Sequence, residues 1–429
     1  MRSGCLACLV LPLLLAAAPA LAELAAEEVE LKVAVESQCP DMAGLLEQWV
    51  ERNTGSWNLA GLEAFAGDLP KPFEALGFQV EMVPGVPVEV PGRELTRTGP
   101  SVIARRPSER SEPLRLLLVG HYDTVYEPDS PFQRFDAPGD GVGNAFGPGV
   151  ADMKGGLVVM LCALRGLAET GDLDRASWTV ILNGDEEIGS LGSRARIEAE
   201  AREADYGLVF EASYGWAMVH TRRGLGQFHL EVEGVAAHAG NAHARGRSAI
   251  RELAHKILEI EALTDYERGV TLNVGTLTGG SKRNIVPARA SAWIDLRYDD
   301  PETGDWAQSR LEEIAATTFV EGTRTRLWGT LHRPPKTETE EVTALLDRYD
   351  AVVHDLGLPP AERVHSGGGT DGSLMGAVGL PTLDSMGVVG GNAHTSEEFV
   401  VLDRVSDRAF IAALFLWRLI HEPRAPAGD

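Results

Sequence analysis

The sequence predicts an α/β fold interrupted by a smaller α+β unit, and three observations predict it. Through residues 114–210, short apolar runs ending in glycine or a charged residue alternate with helical patterns, the mark of a mostly parallel sheet covered by helices. From about residue 222 apolar and polar residues alternate instead, as in strands wetted on one face. Strand and helix patterns there follow the order β-α-β-β-α-β, the ferredoxin-like split unit. The first pattern then resumes. These changes divide the chain into a signal peptide at 1–22, the larger domain at 23–222 and 335–429, and the inserted unit at 223–334.

With 429 residues the chain is too long for one small core. It carries 39 basic and 63 acidic residues, which argues against nucleic acid or an anionic membrane surface as a partner. Arg2, the apolar run 6–21 and the small-x-small triplet Ala20-Leu21-Ala22 read as an exported leader with cleavage before Glu23, an uncleaved anchor being the alternative. The expected location is secreted or periplasmic, with no stable membrane association after cleavage. Only Cys39 and Cys162 remain in the mature chain. Cys162 lies in a helical pattern and reads as a buried free thiol, although an oxidising compartment leaves a disulfide to Cys39 open.

In order, residues 43–52 and 59–76 show helical spacing, the second broken near Pro70 and Pro72. Residues 78–83, 101–104 and 114–119 read as strands, 126–148 as a long Gly/Pro/Asp loop, and 154–169 as a helix opening on two glycines. Strands at 178–182 and 206–210 flank a helix at 193–203. The inserted unit reads as strands 227–233, 270–278, 288–298 and 324–331 with helices 248–263 and 301–319. A helix at 337–356, a strand at 381–383 and a helix at 403–421 close the chain.

Open α/β sheets bind ligands at the carboxyl ends of their strands. There this chain places His121 and Asp123, Asp152 between a Gly-Pro-Gly turn and a Lys-Gly-Gly helix entry, Glu186 and Glu187, and Glu211, with His394 in a late loop. Singly, each reads as an ordinary loop residue. Together, two imidazoles and three carboxylates suffice for two divalent ions, with one carboxylate bridging, and such nitrogen and oxygen donors suit zinc, with cobalt or manganese as substitutes. The sequence has no G-x-x-x-x-G-K-[ST] phosphate loop and no G-x-S-x-G elbow.

The stretches GHYDTV, GPGVADMKGG, NGDEEIGS, DYGLVFE and GGNAHTSEEF, taken in order, resemble the motifs of the di-zinc exopeptidases that include glutamate carboxypeptidases, acetylornithine deacetylases and succinyl-diaminopimelate desuccinylases. The resemblance spans about residues 45–421. It implies a zinc-exopeptidase-like catalytic domain with an inserted ferredoxin-like dimerisation domain, two Zn2+ per chain and a homodimer. The implied substrate is a small peptide or N-acyl amino acid cleaved at the amide bond to a C-terminal residue, with glutamate the first expectation. An N-acyl-amino-acid deacylase or a dipeptidase is the alternative. By the same resemblance His121, Asp152, Glu187, Glu211 and His394 would hold metal, with Asp152 bridging and its following peptide cis. Asp123 would orient His121 and Glu186 would act as general base. His238 would reach into the partner's site to stabilise an oxyanion. Asn284, Arg297, Gly369 and Thr370 would line the substrate end, and Arg333 would read the terminal carboxylate as a fork.

Overall fold

A computed structural model describes residues 24–90, 95–139 and 141–422. The expected signal peptide at 1–22 lies outside the described residues. The chain enters through helices α1 (Ala26–Gln38) and α2 (Met42–Val50) and builds strands β1 (Gln79–Val83), β2 (Ser101–Arg106) and β3 (Leu114–His121). Helix α3 (Lys154–Glu169), strand β4 (Ala176–Asn183), helix α4 (Arg194–Glu203) and strand β5 (Tyr206–Val209) follow. The large sheet has the order β1-β2-β4-β3-β5, with Thr382–Leu383 added beside β5. Strands β4, β3 and β5 run parallel, so their carboxyl ends lie together at one edge.

The inserted unit consists of β6 (Gly224–Glu233), α5 (Ala249–Glu261), β7 (Val270–Gly279), β8 (Arg289–Tyr298), α6 (Pro301–Ala316) and β9 (Arg324–Arg333). Its sheet order is β7-β8-β6-β9 with every neighbour antiparallel, as the split unit requires. It has its own core, with Phe228, Leu230, Leu253, Leu296 and Leu311 at its centre. Inside it, Glu252 and Lys256 form a fully buried pair. Lys256 Nζ donates to the carbonyls of Ile314 and Ala315, and Glu252 accepts from the amides of Phe319 and Val320, so both ends of the turn after α6 are satisfied.

The chain returns through α7 (Glu340–Asp355), α8 (Asp371–Ala377) and α9 (Val405–His421). The apolar run of β3 explains the layering. Leu116 and Leu118 face the core that contains α1, α3, α7 and α9, while Leu117 and Val119 face the one that contains α4 and α8. Helix α3 is buried almost all round, which its near-continuous apolar sequence requires. Its two opening glycines are a packing demand: a Cβ on Gly156 would stand 1.8 Å from the carbonyl oxygen of Phe210, just past β5. Among the described residues no helix is long and apolar enough to cross a membrane.

Three readings change. Cys162 is not a free thiol: it is disulfide-bonded to Cys39, tying the end of α1 to α3 across 123 residues. Closing a loop of that length contributes on the order of 4–5 kcal/mol by unfolded-chain entropy. Helix α1 is absent from the sequence reading, because exposed Val29 and Val33 blur the spacing of its buried Leu31, Ala34 and Val35. A parallel pair, Met218–Arg222 beside Arg363–Ser366, joins the two halves of the larger domain where only connecting chain is expected.

Candidate metal centre

Three neighbouring strands deliver the site. His121 is the last residue of β3, pairs in register with Asn183 at the end of β4, and is completely buried. Glu186 and Glu187 follow β4 in a short 3-10 turn, and Glu211 stands two residues past β5. Asp152 closes the loop before α3, and the Asp152–Met153 peptide is cis. His394 comes from the loop before α9 and holds φ at 65°, a left-handed conformation that costs a non-glycine residue of order 1 kcal/mol or more.

The two oxygens of Asp152 face different imidazoles. Oδ1 lies 3.1 Å from His121 Nε2 and Oδ2 lies 3.2 Å from His394 Nε2. His121 Nε2 is also 3.5 Å from Glu211 Oε1, and His394 Nε2 is 3.1 Å from Glu187 Oε2. One donor atom each of His121, Asp152 and Glu187 lies within 4.8 Å of the others. The result is two imidazole-carboxylate pairs that share one central carboxylate.

The electrostatics of the cluster bear on what it could hold. Burial, with the charge of Asp152 next, pushes Glu187 up to about 8. Burial also raises Glu211 and Glu186. Hydrogen bonds to Asp152 and then Glu187 push His394 up to about 11. For His121, burial opposes the charged form, but Asp123, Asp152 and Glu211 together raise it. Burial thus favours the neutral form of Glu187 and Glu211, whereas the two imidazoles keep Asp152 charged despite its burial, and divalent cations would supply the same charge balance. The donor set fits such ions: nitrogen and carboxylate oxygen only, with a shared carboxylate between two pairs.

The surroundings fix these groups. Asp123 lies 3.3 Å from His121 Nδ1, so it turns Nε2 towards Asp152. The same carboxylate accepts from the amides of Glu186 and Glu187 at 3.1 Å each and from Ser56 Oγ at 2.9 Å. Asp123 therefore orients both an imidazole and the acidic turn. Glu398 does the same for the Asp152 loop. It is fully buried, and its carboxylate accepts from the amides of Gly149, Ala151 and Asp152 at 3.2, 2.9 and 3.0 Å. The sequence reading missed Glu398, which sits beside the exposed Glu397 in a polar stretch with nothing in the residue order to separate them. It missed Asp371 too, which directly follows Gly369 and Thr370.

The expected substrate-end residues behave differently from the clustered imidazoles and carboxylates. Arg333 is not a free fork: it is 2% exposed, with Nη1 donating to Asp371 Oδ1 at 2.7 Å and Nη2 to Glu186 Oε1 at 2.6 Å. Its burial requires counter-charges, and the protein supplies both. Arg297 is likewise occupied by both oxygens of Asp295 and the carbonyl of Gly367. Thr370 is buried, caps α8 and donates to Asp384 at 2.9 Å, a structural duty. Gly369 lets the chain pass Leu225 and Arg333, since a Cβ there would come 2.4 Å from Leu225 Cδ1. His238 and Asn284 lie together in the inserted unit, where the Asn284 carbonyl accepts from Ala239. The exposed His238 ring accepts at Nδ1 from the amides of Gly240 and Asn241, and it makes no hydrogen bond or ion pair with the His121 cluster of its own chain.

Comparisons with known proteins agree on the family and the fold. Residues 220–323 match the peptidase dimerisation domain of the M20 peptidases, and residues 101–228 match peptidase family M28. Carboxypeptidase G2 of Pseudomonas sp. (strain RS-16) is 31% identical over 400 residues, 92% of each chain. The succinyl-diaminopimelate desuccinylase of Gluconacetobacter diazotrophicus is 27% identical over 373 residues, 82% of this chain and 91% of the relative. A solved M20 family metallo-carboxypeptidase from Sulfolobus solfataricus shares the fold with a TM-score of 0.68 at 20% identity, covering 89% of this chain and 99% of its own. The M28 match covers only part of the larger domain, whereas the relatives align through both domains. The chain therefore belongs to the M20 family of metallo-hydrolases, enzymes that act on amide and peptide bonds.

Proposed function

We propose that this enzyme is a zinc-dependent carboxypeptidase that hydrolyses the amide bond to a C-terminal amino acid, glutamate first, in small peptides or N-acyl amino acids. The observation that carries the metal chemistry is the central position of Asp152, with one oxygen towards His121 and the other towards His394. His121, Asp152 and Glu211 would hold one ion, and His394, Asp152 and Glu187 the other. Two bound divalent ions would polarise the scissile carbonyl and make water a stronger acid. Glu186 would take the water proton at its carboxylate and hand it to the leaving nitrogen. Arg333 holds that carboxylate in position from behind. His238 would complete the site from the second copy of a homodimer, a role supported by its exposed place in the unit that matches the dimerisation domain.

The substrate side leans on the 31% identity to carboxypeptidase G2 along nearly the whole chain. The matches to desuccinylases support a second reading, an N-acyl-amino-acid deacylase or dipeptidase. Retention of Glu186 argues against a metal-binding homologue without catalysis, since a binder needs ligands but no base. Export to the periplasm or medium belongs to the same proposal and is supported by the Cys39–Cys162 disulfide, a bond suited to an oxidising compartment. A panel of acyl-glutamates, acyl-diaminopimelate and dipeptides, each assayed with and without chelator and paired with its C-terminal amide, tests the reading. About two zinc equivalents per chain and chelator-sensitive hydrolysis of the free acids are expected. Full activity in metal-free protein, or equal turnover of acids and amides, would end the carboxypeptidase assignment.

A further inference from the structure

A second feature lies apart from the candidate metal centre, on the side of the molecule where α2 meets α3. A cleft of about 410 Å³ has Leu45 and Pro72 as its accessible apolar walls, with Arg52, Lys71 and Arg165 as its cations and Asp68 as its carboxylate. Asp68 is shared by Arg52 at 2.5 Å and Lys71 at 2.9 Å, so its charge is already spent. Arg165 is different. Its guanidinium is half-buried, and its hydrogen-bonding contact is a weak one, from Nη1 to Cys39 Sγ at 3.6 Å. Among the described residues it has no carboxylate partner, and burial alone lowers its pKa. A cation partly removed from water without a counter-charge is a cost that proteins ordinarily offset with an anion. Here the surplus of positive charge stands in a chain of formal net charge −24.

We infer that this cleft binds a small monocarboxylate with a compact apolar body, its carboxylate on Arg165 and its body against Leu45 and Pro72. The guanidinium offers a carboxylate two parallel hydrogen bonds, and Lys71 adds positive field at the same mouth. The walls decide the rest of the ligand. Leu45 and Pro72, both half-buried, are the apolar side chains that line it and stay open to contact. The volume falls within the range of small-molecule sites. Free phosphate, which has no apolar body, gains nothing from those walls.

Calorimetric titration of the full-length, zinc-loaded protein with benzoate tests this, with benzyl alcohol and inorganic phosphate as comparison ligands. Benzoate should bind at least tenfold more tightly than either. Arg165→Gln should weaken that event at least tenfold while hydrolysis stays unchanged, since Arg165 touches none of the catalytic groups. Leu45→Trp, which places an indole in the cleft and leaves Arg165 in place, should abolish the same event and serves if Arg165→Gln fails to fold. Unaltered benzoate affinity in both variants would assign all binding to the metal centre and overturn the inference. Phosphate or benzyl alcohol binding as tightly as benzoate would overturn it as well.

Discussion

Glu398 offers the sharpest test of how the metal centre is held. Its Oε1 accepts from the amides of Ala151 and Asp152, and its Oε2 from that of Gly149. In Glu398→Gln one oxygen can keep the Ala151–Asp152 pair. The new amide group then points N–H at the N–H of Gly149, so one buried donor loses its acceptor and the other two lose a charged one. An unsatisfied buried donor costs about 1–3 kcal/mol, and a hydrogen bond to a charged group is worth about 1.5–3 kcal/mol against about 1 for a neutral one. The sum is roughly 2–7 kcal/mol of strain on the loop that presents Asp152. Because Asp152 is shared by both imidazole pairs, that strain should appear in metal affinity, by about 10–100-fold. Competition titration against a zinc chelator, with calorimetric melting of the metal-free and loaded protein, measures both quantities. Affinity and Tm that both match the parent protein would refute the idea that Glu398 holds the Asp152 loop.

The remaining predictions probe the groups around it. Glu186→Gln should retain metal and fold while losing roughly 10²–10⁴ in kcat, whereas Glu187→Gln should lose metal; elemental analysis beside steady-state rates would expose reversed roles. Mixing inactive Glu186→Gln chains with His238→Ala chains should recover activity, because a mixed dimer holds one site with both native groups; an active enzyme that sediments strictly as a monomer would remove the basis for it. Arg333→Ala leaves the buried Glu186 and Asp371 without their cation, so a stability loss of about 3–5 kcal/mol is expected, with equal loss of kcat/KM on acid and amide substrates. A loss confined to the acids would instead make Arg333 the reader of the substrate carboxylate. Burial, then Arg333 and Arg297, push His332 from 6.5 down to about 4. The folded state therefore binds this proton less readily than the unfolded one. Its stability should be intact above about pH 6.5 and fall by roughly 2–3 kcal/mol as pH drops towards 4, a slope that His332→Asn should remove from urea midpoints.

The amino-acid order by itself determined the layers and the addresses of the candidate metal-binding residues. Strand β3 is legible because Leu114–Val119 is an unbroken apolar run, and a strand buried on both faces has no polar position to interrupt it. The inserted unit is legible because its strands alternate and its helices keep a different period. His121, Glu187 and Glu211 could be set at strand ends because parallel strands deliver their carboxyl ends to one edge, a rule that needs no coordinates. What only the tertiary structure decided is which polar groups meet across long separations. The partners of Arg333 are 38 and 147 residues away, those of Glu398 are 246 to 249 away, and Cys39 and Cys162 are 123 apart. No periodicity encodes such pairs. An arginine before a proline reads the same whether its fork meets a ligand or two buried carboxylates, and one glutamate of two reads the same in water or beneath three amides. Burial separates these cases, since a charge withdrawn from water must find its partner within the fold, and the packing of β9, α8 and the loop before α3 chose Glu186, Asp371 and the three amides.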